Sequence, residues 1–216
     1  MKDWKGNSRS AQYALAISKK DSIEQREAND FYATDPRALE ALLDNCTTKT
    51  KVKLHECTKK PFYIWECACG TGNLSQVLND RKYNVFSSDK IDRGYGMDSV
   101  DFLDVTKNQL GSNELPCIKV ILTNPPFSLA NEFIMHALDI LPIGGIYIAL
   151  MNLQVLAGIE RYEKIYSNHW LREVYIFSKR IRCYKNNIPD NIAPIINYAW
   201  FVFEKGYNGS PTLFWL

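Results

Sequence analysis

The spacing of apolar positions changes several times along the chain, and each change marks an element. Residues 1 to about 30 mix charges and polar groups around one short AQYALAI patch. That pattern predicts an extension, partly flexible, ahead of the folded unit. In FYATDPRALEALLDN, Leu39, Leu42 and Leu43 recur at helical spacing, with Asp35 or Thr34 as cap and Pro36 in the first turn. A helix is expected from about 36 to 45. The lysine-rich NCTTKTKVKLHECTKK reads as a surface connection. FYIWE, rich in aromatic and β-branched residues, then reads as a buried strand that ends directly at CACGTGN.

From that point the period alternates. A helix near 73 to 81 leads to strand YNVFSSD, a loop through RGYG, strand IKVILTN, a helix near 128 to 140 and strand GIYIALM. A helix near 155 to 168 then precedes strand LREVYIF. Two aromatic strands, NYAWFVFE and PTLFWL, separated by KGYNGS, predict an antiparallel pair at one sheet edge. Strands alternating with helices predict an α/β fold, a mostly parallel seven-stranded sheet covered on both faces, with its chemistry at the strand ends.

Length and composition narrow the classes. A chain of 216 residues holds one sizeable α/β core and not two ordinary catalytic domains, so residues 31 to 216 are taken as one domain without a separate target-reading domain. Its 46% hydrophobic and 23% charged residues suit a globular protein, and no apolar run approaches the roughly 20 residues needed to cross a bilayer. The opening MKDWKGNSRS lacks an apolar signal core, and six irregularly spaced cysteines suit free thiols in a reducing compartment. A cytoplasmic location is expected. The net charge of +2 announces no nucleic acid by itself, which turns attention to local clusters.

Two segments carry the candidate chemistry. Glu66, Cys67, Ala68, Cys69, Gly70, Thr71, Gly72 and Asn73 lie between a strand and a helix, where an open α/β sheet holds a nucleotide-like ligand. Acidic Glu66 is ill suited to phosphate and better suited to a cationic sulfonium with an amino acid tail. Asp89, about twenty residues on, is placed to accept hydrogen bonds from ribose hydroxyls. Asn124, Pro125, Pro126 and Phe127 follow strand IKVILT, and the paired prolines forbid helix and ladder alike, forcing a stiff loop. The exocyclic amine of adenine is a poor nucleophile because its lone pair is delocalised into the ring. The Asn124 side-chain oxygen and the Pro125 carbonyl can accept its hydrogens, and Phe127 can stack on a base turned out of the duplex.

In these two segments, in this order, the chain resembles the amino methyltransferases of DNA, especially small adenine methyltransferases of phages and mobile elements. In these a glycine loop precedes an [N/D/S]PP[Y/F/W] tetrapeptide. The resemblance spans roughly residues 28 to 216 and includes NDFYATDP, SSDKIDRGYG and DFLD. It implies a Rossmann-like S-adenosylmethionine-dependent methyltransferase fold, S-adenosylmethionine as cofactor, DNA as partner, and direct in-line transfer to the adenine N6. It further implies that Phe31, Tyr32 and Thr34 flank the methionine part of the cofactor, that Glu66 to Gly72 wrap it, that Asp89 takes the ribose, that Asp101 and Phe102 meet its adenine, and that Lys90 and Asn124 also bind it. Cys67 and Cys69 depart from the EPAAGxG loop common in the family, which affects loop rigidity.

Other residues have competing readings. His55, Cys57, Cys67 and Cys69 superficially suit zinc, but their spacing is not that of a standard finger and two of them lie in the cofactor loop. They read as packing thiols, and no metal is expected. Arg161, Lys164, Arg172, Lys179, Arg180, Arg182 and Lys185 form a basic strip facing phosphate, or else a solvated face. In that strip Arg180 and Arg182 are candidate DNA contacts, and Tyr184 is a candidate contact to the turned-out base. Trp200, Phe201 and Phe203 read as core. The alternatives are an N-methyltransferase acting on RNA or a protein amide, and a catalytically silent DNA-binding homologue. Without a separate reading domain, site specificity is short, loose or supplied by a partner protein. No membrane association is expected, and the oligomeric state is open, as is a role in host protection, regulation or evasion of restriction.

Overall fold

The computed structural model describes residues 32–185 and 196–216. Strand β1 (Tyr32–Thr34) leads into helix α1 (Pro36–Asn45). There Asp35 accepts from the Arg37 amide at 3.0 Å and Pro36 opens the first turn, so the helix starts where its cap dictates. Strand β2 (Phe62–Glu66), helix α3 (Asn73–Asp80), strand β3 (Val85–Ser87), strand β4 (Cys117–Thr123), helix α4 (Ala130–Ile140) and strand β5 (Ile146–Asn152) follow. The remaining elements are helix α5 (Ile159–Lys164) and strands β6 (Leu171–Ile176), β7 (Cys183–Lys185), β8 (Tyr198–Glu204) and β9 (Thr212–Trp215).

Seven of the strands form one sheet in the order β3-β2-β4-β5-β8-β6-β9. Strands β3, β2, β4 and β5 run parallel, β8 runs against both β5 and β6, and β9 lies parallel to β6. This is the expected mostly parallel sheet with antiparallel pairing towards one edge. The two C-terminal strands do not pair with each other, because β6 lies between them. Strand β8 is therefore an interior strand, which accounts for its buried YAWFVF run, and the indole of Trp200 donates to the Ala38 carbonyl at 2.9 Å.

Each sheet face carries its own core. Helix α4 packs Phe133, Ile134, Ala137 and Leu138 with Trp65, Tyr147 and Phe203 on one face. Helices α1 and α3 cover Ile64, Val120, Ile148 and Trp200 on the other. That second face also holds helix α2 (Thr48–Glu56), where the sequence pattern suggested only a surface connection. Its anchors lie far away in sequence: the hydroxyls of Thr47 and Thr50 donate to the buried Glu173 carboxylate at 2.7 and 2.6 Å, and Leu54 enters the core. The helix expected near 155 to 168 is instead two 3-10 turns flanking the short α5, broken by Gly158 at φ 128° and His169 at φ 61°.

The topology fixes where a ligand can sit. From β2 the chain moves to β3 on one side and then returns to β4 on the other, so the strand order reverses between β2 and β4. A crevice opens at such a reversal beyond the carboxyl ends of the strands. The glycine loop leaves β2 and the NPPF tetrapeptide leaves β4, one on each side of it.

Candidate active site

The glycine loop turns tightly because Gly70 and Gly72 adopt φ of 55° and 84°, a region that penalises any side chain. Gly72 precedes α3 without supplying a side-chain cap. The carboxyl of Glu66 lies instead against the third residue of that helix, accepting from the Ser75 hydroxyl. Glu66 is 2% exposed, and burial pushes its carboxyl up to about 8. Its side chain thus supports the loop from beneath, whereas the sequence suggested a direct partner for a sulfonium. Cys67 and Cys69 are buried, and burial raises both thiols, Cys69 to about 12, as expected of packing thiols. No group of three His, Cys, Asp or Glu side chains suited to a metal occurs among the described residues.

Asp89 follows β3 and faces the glycine loop. One of its carboxylate oxygens accepts the Gly70 amide at 2.8 Å and the other the Ile91 amide at 3.0 Å, which leaves further lone pairs at the rim. The loop after it folds back: the Tyr95 ring packs on Gly72 so closely that a Cβ there would meet it at 2.5 Å. Lys90 and Asp101 form an ion pair at 2.6 Å, and Lys90 holds the Asp101 carboxyl below its usual range. The Phe102 ring is 2% exposed and lies in the core, edge-on to Trp65 at 5.2 Å and against Phe133 at 4.8 Å.

At the end of β4 the Asn124 amide is tied to β1: Nδ2 donates to the Tyr32 carbonyl at 3.1 Å and to the Thr34 hydroxyl at 3.0 Å. Its Oδ1 is buried and has no hydrogen-bond partner among the described residues. Pro125 is buried, and Pro126, with ψ of 128°, hands the chain to a 3-10 turn beginning at Phe127. The Phe127 ring contacts those of Tyr32 at 5.3 Å and Tyr198 at 5.7 Å. Phe127 is itself partly exposed.

Strands β1 and β7 form a two-stranded ribbon beside this corner, pairing Ala33 with Tyr184 and Thr34 with Cys183. Tyr184 is thereby brought to the site through its backbone; its side chain, Phe31 and the extension lie outside the described residues. The carbonyl of Arg182 accepts the Asp35 amide, and Arg180 Nε donates to Asn197. The rest of the basic strip is largely committed elsewhere. Arg161 binds Asn131 and the Ala157 carbonyl, Lys164 pairs with Glu160, and Arg172 is buried against Glu173 and Glu204. Lys179, Arg180 and Arg182 lie on the turn leading into β7, and Arg182 neighbours Asp35 ahead of α1.

Sequence reasoning did not single out Ser75, Tyr95, Cys183 or Tyr198. Only Tyr95 left a signal, the flanking Gly94 and Gly96 with φ of 77° and 74°.

No protein-family model matches the chain, and no curated protein matches it. Solved structures do share its fold. The type IIG restriction endonuclease BpuSI superposes with a TM-score of 0.58 at 14% identity, over 92% of this chain and 28% of that one. A Listeria monocytogenes protein assigned to the class I S-adenosylmethionine-dependent methyltransferases gives 0.55 at 14% identity, over 95% and 71%. DrdV, solved in complex with DNA, gives 0.55 at 12% identity, over 99% and 30%. The chain therefore spans less than a third of the two restriction-type or DNA-bound structures. The fold is the Rossmann-like one of class I methyltransferases.

Proposed function

We propose that this protein transfers a methyl group from S-adenosylmethionine to the N6 amine of adenine in DNA. The observation that carries the reading is the Asn124 side chain, held at the end of β4 beside the glycine loop with a buried oxygen that has no partner among the described residues.

The donor set around the crevice suits the cofactor. Asp89 and Asp101 offer carboxylates for the ribose hydroxyls and adenine edge, the turn from Cys67 to Gly72 offers backbone, and Tyr32 stands at the methionine end, with the Thr34 hydroxyl turned to Asn124. Lys90 is paired with Asp101. When bound, S-adenosylmethionine supplies an electrophilic methyl and takes up the electron pair of the broken carbon–sulfur bond.

The chain's own residues prepare the nucleophile. Asn124 Oδ1 accepts one hydrogen of the amine, which disfavours delocalisation of the nitrogen lone pair into the ring and leaves it directed at the methyl. The Pro125 carbonyl takes the second hydrogen. After transfer the surplus proton on nitrogen passes to water. Phe127 holds the base by stacking. Lys179, Arg180 and Arg182 meet the phosphate backbone, and Tyr184 contacts the base. BpuSI is a restriction endonuclease and DrdV was solved on DNA, which favours DNA among the acceptors.

Incubation with methyl-labelled cofactor and DNA, RNA or protein, followed by digestion to monomers, tests the assignment. Label in N6-methyladenine of DNA is expected. Label confined to cytosine, RNA or a protein amide would overturn it.

A further inference from the structure

Family resemblance gives Thr34 to the cofactor, yet its hydroxyl is turned towards Asn124. We infer that Thr34 is a positioning residue that selects which end of the Asn124 amide faces the methyl acceptor. The inference rests on the proposed reading only in giving Asn124 Oδ1 to a planar amine.

An asparagine amide is nearly symmetric in shape, so its two orientations are separated by hydrogen bonding alone. The Tyr32 carbonyl cannot donate, so it accepts one amide hydrogen, at 3.1 Å. The second hydrogen needs its own acceptor, and Thr34 Oγ1 provides it at 3.0 Å from a position 3% exposed. Thr34 and Cys183 are register partners across the β1–β7 ribbon, and the Thr34 hydroxyl acts on the Cys183 thiol to hold it lower than burial alone would. With both amide hydrogens engaged, Oδ1 is the end left for the acceptor.

The same residue reaches the cofactor loop. Asn73 Nδ2, at the start of α3, donates to the Thr34 carbonyl at 3.1 Å. One short strand therefore joins the orientation of the amide to the helix that follows the glycine turn.

Replacing the hydroxyl by a methyl leaves one amide hydrogen buried without an acceptor. The flipped amide fares no better, since it aims an oxygen at the Tyr32 carbonyl. Thr34→Val is therefore expected to lower single-turnover transfer by about 10- to 100-fold, the range for one lost buried hydrogen bond, with cofactor affinity within about twofold of wild type. Thr34→Ser should recover most of the rate. In an Asn124→Ala background Thr34→Val should add nothing, and the side-chain amide protons of Asn124, slow to exchange with solvent in the wild type, should exchange faster in Thr34→Val. A melting curve establishes folding, and Thr34→Ala gives the same rate reading if valine does not fold.

Two results would overturn the inference. One is a Thr34→Val enzyme at wild-type rate. The other is cofactor affinity lowered tenfold or more, with transfer at saturating cofactor retained and the loss additive with Asn124→Ala. Failure of the adenine assignment looks different: label appears on another acceptor, while the Thr34→Val deficit and its non-additivity with Asn124→Ala persist.

Discussion

Replacing Asn124 by alanine separates catalysis from stability in a way the geometry quantifies. The substitution removes two hydrogen bonds, from Nδ2 to the Tyr32 carbonyl and the Thr34 hydroxyl, worth about 1 kcal/mol each. It also removes a buried oxygen with no partner among the described residues, a group whose desolvation costs about 1–3 kcal/mol in the folded state. These opposing contributions cancel to within about 1 kcal/mol, so the melting temperature should move by only a few degrees. Catalysis has no such compensation. Loss of one preorganised group aimed at the reacting centre costs about 10²–10³ in rate. Thermal melting, calorimetric titration with cofactor and single-turnover transfer of labelled methyl to DNA give the three readings. Transfer within threefold of wild type would refute the role of Oδ1. A melting temperature lowered by more than about 10 °C would refute the stability cancellation.

Other outcomes follow from the supports of the site. Gly72→Ala should lose stability and cofactor affinity, because it places a Cβ 2.5 Å from the Tyr95 ring at a φ of 84°; Gly72→Ala with Tyr95→Ala should recover part of the loss, and equal melting temperatures would argue against the clash. Glu66 keeps its proton in the folded state up to about pH 8, whereas the unfolded chain releases it near 4.5, so its contribution to stability falls as pH rises through that window. Urea midpoints of wild type and Glu66→Gln should diverge in favour of the glutamine variant from pH 5 to pH 8; parallel curves would show that Glu66 does not titrate there. Arg172→Ala strands the buried Glu173 carboxylate and should cost about 3–5 kcal/mol in unfolding titrations. It should leave the salt dependence of DNA binding unchanged, and a reduced salt slope would mean that Arg172 meets phosphate after all.

How far the sequence spoke for the fold depended on whether its causes were local. Helix α1 and strand β2 could be bounded from their own residues because Asp35, Pro36 and the FYIWE run act within a few positions. Helix α2 could not, since Thr47 and Thr50 are held by Glu173, more than 120 residues away, and its lysines conceal the buried Leu54. Strand β8 looked like an edge because the hairpin-like KGYNGS spacing gives no sign of β6 entering between β8 and β9. At the site, the tetrapeptide and glycine loop announced themselves by backbone constraint, which proline and glycine write into sequence. Phe102 did not, because an aromatic beside an aspartate at the rim and one packed under it are written alike. Nor could a list of cations reveal that Arg172 would be enclosed by Glu173 and Glu204.

Strand β6 has only later strands as neighbours in the sheet, β8 on one side and β9 on the other. During synthesis, β6 leaves the ribosome with no partner to receive it, and β5 offers an apolar edge until Tyr198–Glu204 arrives. A nascent chain stalled before Tyr198 is therefore not a trimmed domain but one split through its middle, exposed to aggregation at the edge that β8 would have closed.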